Sequence, residues 1–176
     1  EEDMTLSWYQ EPSTNQTILQ GMGDQHIDVA IRKAESKFQT GLNLEEPRVP
    51  YRETIKKKVR VQGKHKKQTG GHGQFGDCWV QFEPLPKGAG FEFVDAIVGG
   101  VIPKTYIPAV EKGIVESAKK GVLAGFPTVD FRATLDFGSF HAVDSSEMAF
   151  KVAGSLAFKK AVEEAKPVLL EPIMEV

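Results

Sequence analysis

The sequence predicts an α+β protein organised as two unequal units. Three observations predict it. Strand-like and helix-like periodicities follow one another along the chain, Pro47 and Pro50 punctuate it after a first stretch too short for an independent core, and a longer set of alternating runs follows. With 40% apolar and 26% charged residues over 176 positions, the composition is that of an ordinary globular chain. No apolar run approaches the ~20 residues of a membrane span. Cys78 is the only cysteine, which excludes an intrachain disulfide framework and a multi-cysteine zinc site and suits a reducing, cytoplasmic setting. The start EEDMTLSWYQ has neither an initiator Met nor a secretory leader, and together with the end EPIMEV it reads as that of a fragment.

Element by element, residues 4–10 and 16–22 are rich in β-formers and flank Glu11-Pro12-Ser13-Thr14-Asn15, a hairpin connection. Ile27, Ala30, Ile31, Ala34 and Phe38 recur at helical spacing, predicting a helix from Asp24 to Phe38, and GLNLEE reads as a strand after it. YRETIKKKVRV begins the second unit as one continuous strand, with Lys56, Lys58 and Arg60 on one face and Ile55, Lys57, Val59 and Val61 on the other. CWVQFEPL and FEFVDAIV are two further strands, and Gly99-Gly100 breaks the pattern. Ile107, Val110, Ile114 and Ala118 define a helix to Lys120, with Gly121 as its cap. VDFRATLDF alternates, placing Val129, Phe131, Ala133, Leu135 and Phe137 on a buried face. A last helix runs from Ser145 to Lys166, capped by Asp144 with Glu147 in a capping box, and buries Met148, Val152, Ala153, Leu156, Ala157 and Val162. VLLEPIMEV closes the chain as a strand or linker.

The chemistry concentrates at one place. Lys56, Lys57, Lys58, Arg60, Lys64, Lys66 and Lys67 precede the glycine-rich stretch TGGHGQFG at 69–76, with no acid among them, in a chain of net charge −2. Such a segment attracts polyanions, and His65, His72, Gln74 and Phe75 add hydrogen-bonding and stacking groups of the kind nucleic-acid grooves combine with cations. The other reading is a solvated edge strand whose lysines oppose edge-to-edge pairing, within an interaction domain with no RNA role. His141, on the loop GSFHAVD, reads by itself as an ordinary exposed histidine. Ser139, His141 and Asp144 crowd one loop without a nucleophile elbow, so a hydrolytic triad is excluded. TGGHGQFG lacks the Gly-Lys-Ser/Thr of a phosphate-binding loop, and no histidine or cysteine spacing suits a metal.

GMGDQHIDVAI, PRVPYRETI, QTGGHGQFGD, IVGGVIPKTYIPAVEKGI, GVLAGFPTVD, FGSFHAVDSSEMAFKVAGSLAFKKA and KPVLLEPIMEV, in that order, resemble consecutive segments of bacterial elongation factor G or of an elongation factor G-like paralogue. The resemblance implies that residues 1–50 are the later part of a ferredoxin-like third domain. It makes residues 51–168 a fourth domain, a two-layer α/β fold of ribosomal-protein type with a left-handed βαβ crossover, and 169–176 a linker or strand toward a fifth. It further implies that the fourth-domain tip contacts tRNA and mRNA in the decoding region of the small ribosomal subunit. The matching positions are Thr69, Gly70, Gly71, His72, Gly73, Gln74, Phe75 and Gly76 on one loop and His141, Ala142, Val143 and Asp144 on the other. By the same resemblance GTP and Mg belong to a nucleotide-binding domain outside this sequence, leaving this stretch without catalyst, cofactor or metal and with the parent's other domains as neighbours. His72 departs from the arginine that many members carry there.

Overall fold

The computed structural model describes residues 3–68 and 70–173, and the chain divides between Pro50 and Tyr51 into two units. In the first, β1 (Ser7–Glu11) and β2 (Gln16–Gln20) form an antiparallel hairpin, with Asn15 at φ 54° closing the turn. Asparagine tolerates that left-handed conformation better than most residues. The helix α1 (Asp24–Phe38) has the limits the sequence predicts, and Gln39 caps it by donating its N–H to the Glu35 carbonyl. No residue of α1 is buried. The strand expected over GLNLEE is absent, because side chains satisfy its backbone: Leu42 N–H donates to the Glu35 carboxylate, and the Gln16 amide binds both the Glu46 carbonyl and the Arg48 N–H.

The second unit begins with a correction. The predicted long basic strand is two strands, β3 (Arg52–Ile55) and β4 (Val59–Lys67). Lys56 and Lys57 both donate their N–H groups to the Ala165 carbonyl, at 3.1 and 3.0 Å, which diverts the chain between them. Ile55 and Val61 are both buried, but in different sheets, and Lys57 is exposed. β3 pairs antiparallel with β8 (Pro167–Leu170).

β4 joins β5 (Gln74–Pro84), β7 (Phe131–Ser139) and β6 (Phe91–Asp95) in a four-stranded sheet of order β4-β5-β7-β6. The first two pairings are antiparallel. β6 and β7 are parallel, as the crossover through helix α2 (Ile107–Lys120) requires. α2 and the long helix α3 (Glu147–Glu164) cover one face of the sheet, over a core of Val61, Val80, Phe82, Phe131, Leu135 and Phe158. Phe158 meets Phe82 and Phe131 at ring distances of 6.0 and 5.5 Å. The two helices approach closely enough that a Cβ on Gly113 would lie 2.0 Å from the Lys151 carbonyl oxygen, and one on Gly154 2.4 Å from that of Val110.

Three further expectations change. VDFRATLDF enters the sheet only at Phe131, because Asp130 takes φ 59° and turns its carboxylate onto the Gly88 and Gly90 N–H groups. Within β7 the register against β5 shifts between Trp79 and Val80, so Asp136 is a bulge and Phe137 faces outward. The α3 cap is Ser146, whose Oγ accepts the Ala149 N–H at 3.1 Å, in place of Asp144. The buried stripe of α3 is Ala149, Phe150, Ala153, Gly154, Ala157, Phe158, Ala161 and Val162. Met148 is 62% exposed, Leu156 also lies outside and Val152 is half-buried, because the helix turns Phe150 and Phe158 into the core and places alanine and glycine where α2 and the sheet approach most closely.

Candidate nucleic-acid interface at the sheet tip

The antiparallel pairing of β4 with β5 brings the cationic end of β4 to the glycine-rich stretch, and β7 delivers the second loop to the same end. Of the predicted loop residues, Thr69 lies outside the described residues. Gln74, Phe75 and Gly76 begin β5, which leaves residues 70–73 as the described part of the predicted loop before it. Gly76 is buried against the Ala149 backbone, so packing explains it. Gly71, at φ 131°, is where the loop needs glycine's conformational freedom.

Two residues lock the loops together across about seventy positions of sequence. Asp144 accepts the Gly73 N–H on Oδ1 at 3.0 Å, and its carbonyl accepts the Phe75 N–H at 2.8 Å. Ser145 donates its hydroxyl to the Phe75 carbonyl at 2.9 Å and accepts the His141 N–H at 2.8 Å. The His141 ring is left exposed, 3.5 Å from Asp144 Oδ2 and with its centroid 6.2 Å from that of Phe75. His65 Nε2 holds Gln74 Oε1 at 2.8 Å, which directs the Gln74 amide nitrogen away from that contact. Ala142 and Val143 are exposed at the loop apex, and His72 is exposed on the other loop.

The basic residues separate into two groups. Lys58 and Arg60 are neutralised by Glu83 and Asp136. Lys66 and Lys67 have no carboxylate partner among the described residues and Lys64 lies 5.9 Å over the Phe75 ring, whereas Lys56, predicted with them, sits at the opposite end of β4 beside the Ala165 carbonyl. A cleft of about 170 Å³ between Lys66, Lys67, Gln74, Phe75, His141 and Asp144 joins the two loops. Its free charge is cationic toward the tip, which suits phosphate, and its ring edges suit a base or ribose.

Sequence reading missed one contributor to the tip and one buried carboxylate remote from it. Residues 96–106 leave β6 at this same end, with Gly99 and Gly100 at φ 72° and 67° and Val98 81% exposed. From this segment Tyr106 stacks on Phe150 at 5.0 Å and donates its hydroxyl to the Ser145 carbonyl at 3.3 Å, bracing the second loop. The Gly99-Gly100 pair was the available signal. Glu53 left none. Its carboxylate, 1% exposed, accepts the N–H groups of Val122, Leu123, Ala124 and Phe126 at 2.7–3.1 Å, about seventy residues away. Among the described residues no group of histidine, cysteine or acidic side chains is arranged to hold a metal. None of the described helices is long and apolar enough to cross a membrane.

Comparison with known proteins places this architecture. Residues 47–166 match the sequence model of elongation factor G domain IV, and residues 1–46 that of elongation factor G domain III. Both are domains of a translational GTPase, the class to which the fold and the two matches point. The chain belongs to the elongation factor G family. A protein of Thermotoga maritima named elongation factor G-like protein is 53% identical over 174 residues, covering 99% of this chain and 26% of the relative. A crystal structure from Thermus thermophilus superposes with a TM-score of 0.81 at 49% identity, covering 96% of this chain and 25% of that one. The chain thus spans about a quarter of the length of these relatives.

Proposed function

We propose that this chain is the RNA-contacting lever of a ribosomal translocase, with the sheet tip holding tRNA and mRNA in the decoding region of the small subunit as they move. The observation that carries the reading is the Asp144 and Ser145 lock. It makes one rigid end of two loops that are remote in sequence, and leaves His141, His72, the Gln74 amide and the unpaired lysines facing outward. Rigid placement of a few polar groups is what positioning on an RNA backbone or minor groove requires, and lysines supply attraction independent of sequence. Nucleotide hydrolysis belongs, on this reading, to a domain of the parent that holds GTP and Mg, and the parent works in the cytoplasm.

The test is single-round movement of mRNA on pre-translocation ribosomes, driven by the full-length parent with GTP. We expect rapid movement by the parent and slow movement by its His141→Ala and Gln74→Ala forms, with GTP hydrolysis unchanged. Equal loss of both activities counts against the proposal. The name of the Thermotoga relative supports a second reading, a paralogue with a specialised task. A folded, GTP-hydrolysing parent that moves no mRNA would establish it.

A further inference from the structure

The face of the sheet turned away from α2 and α3 carries large planar side chains. β5 turns Gly76, Cys78, Val80 and Phe82 toward the helices, so Phe75, Asp77, Trp79, Gln81 and Glu83 point the other way, with Asp77 buried there beneath the Gln62 amide and the Ser139 hydroxyl that donate to it at 2.7 Å each. Trp79 is paired directly with Phe137 of β7. Strict alternation places Phe137 inside with Leu135; the Asp136 bulge turns it out, where it is 48% exposed. The inner position passes to Gly138, at which a Cβ would stand 2.4 Å from the Asp77 carbonyl oxygen and 2.5 Å from Ile102 Cδ1. The register cannot slip back without opening the core. Bulges commonly re-aim a side chain beside a functional site. The displaced Asp136 in turn grips Arg60 at two points, 2.8 and 2.9 Å, and the guanidinium lies 4.7 Å from the Trp79 ring centre. Arg60, Trp79 and Phe137 form a row of planar groups across three strands.

Charge along this face is graded. Away from the tip, Lys58, Arg60 and Arg132 are all matched by Glu83, Asp136 and Glu92. Toward the tip, Lys64 and Lys66 form no ion pair among the described residues: Asp77, directly opposite Lys64, is held by Gln62 and Ser139, and Phe75 lies opposite Lys66, four residues from Trp79 and roughly 13 Å along the strand. A flat face of planar groups leading into free cations matches a base-stacking and phosphate-neutralising ligand, whereas a protein partner would call for an apolar groove.

We propose that the open sheet face binds unpaired nucleotides of the RNA engaged by the tip, a base stacking on the row of Phe137, Trp79 and Arg60 while Lys64 and Lys66 neutralise neighbouring phosphates. The inference rests on the tip reading for the nature of the partner and adds a second surface to it. In the Trp8→Phe form of the chain, Trp79 is the only tryptophan. Titrated with a short unstructured RNA, it shows saturable quenching of Trp79 fluorescence. Phe137→Leu weakens binding about tenfold with the salt dependence unchanged, Phe137→Tyr binds as the parent does, and Lys64→Ala with Lys66→Ala flattens the salt dependence. If Phe137→Leu lowers the melting temperature, Arg60→Gln, which leaves the core intact, carries the same expectation of weakened binding.

RNA binding that is lost with the lysines and His141 but leaves Trp79 unquenched and Phe137→Leu neutral overturns the sheet-face inference and spares the tip reading. Absence of RNA binding at low salt overturns both. Self-association in sedimentation that Phe137→Leu abolishes, without quenching by RNA, makes the face an interface between copies and overturns the inference.

Discussion

Asp144 contributes more to the tip than its place before a helix suggests. Sequence spacing makes it a helix cap, yet Ser146 fills that role and the Asp144 carboxylate spans to Gly73 instead. Asp144→Ala should therefore leave α3 intact by circular dichroism while slowing mRNA movement in the parent as much as His141→Ala does. Glu53 is the second residue whose role only contact reveals. Burial pushes its pKa up, but four backbone N–H donors pull it further down, so it sits below the ordinary value of 4.5. A depressed folded pKa stabilises the protein above the ordinary carboxylate range, and that contribution is lost as pH falls through the folded value. Glu53→Gln should cost about 2–3 kcal/mol in urea denaturation at neutral pH, and the variant should lack this part of the acid loss. Cys78 differs again. Burial, with the Asp77 charge adding to it, pushes its thiol up to about 12, so a thiol reagent should label it only after unfolding.

At the scale of elements, α1 and α2 have the limits their periodicity predicts, because each presents a single apolar stripe. α3 does not follow its stripe of large residues. It packs against both α2 and the sheet, and contact on two sides buries the small Ala149, Ala153, Gly154 and Ala157 together with Phe150 and Phe158. Gly154→Ala tests which effect wins there. Helix propensity favours alanine by about 1 kcal/mol, but a Cβ 2.4 Å from a carbonyl oxygen forces the helices apart at about 1–3 kcal/mol or more, so net destabilisation in a thermal melt is expected. The bulge in β7 was illegible for a related reason: VDFRATLDF alternates without a flaw, and only the fit of Gly138 against Ile102 and the Asp77 backbone decides where the extra residue goes.

On the scale of the whole molecule, the cationic tip predicts salt-dependent association of the parent with ribosomes. Replacing Lys64, Lys66 and Lys67 by alanine should lower the log–log salt slope by about 2–3, at roughly 0.7–0.9 per phosphate contact. The sequence by itself determined the family, the α+β class, the first two helices and the clustering of charge before a glycine-rich loop, because each is written in residues close together along the chain. Tertiary structure alone decided that Asp144 and Ser145 join the two loops, that Glu53 holds a turn about seventy residues away, and that Phe137 faces out beside Trp79. Those outcomes depend on which backbone groups lack partners and which surfaces leave no room for a side chain. Both are properties of segments meeting in space, and no local spacing records them.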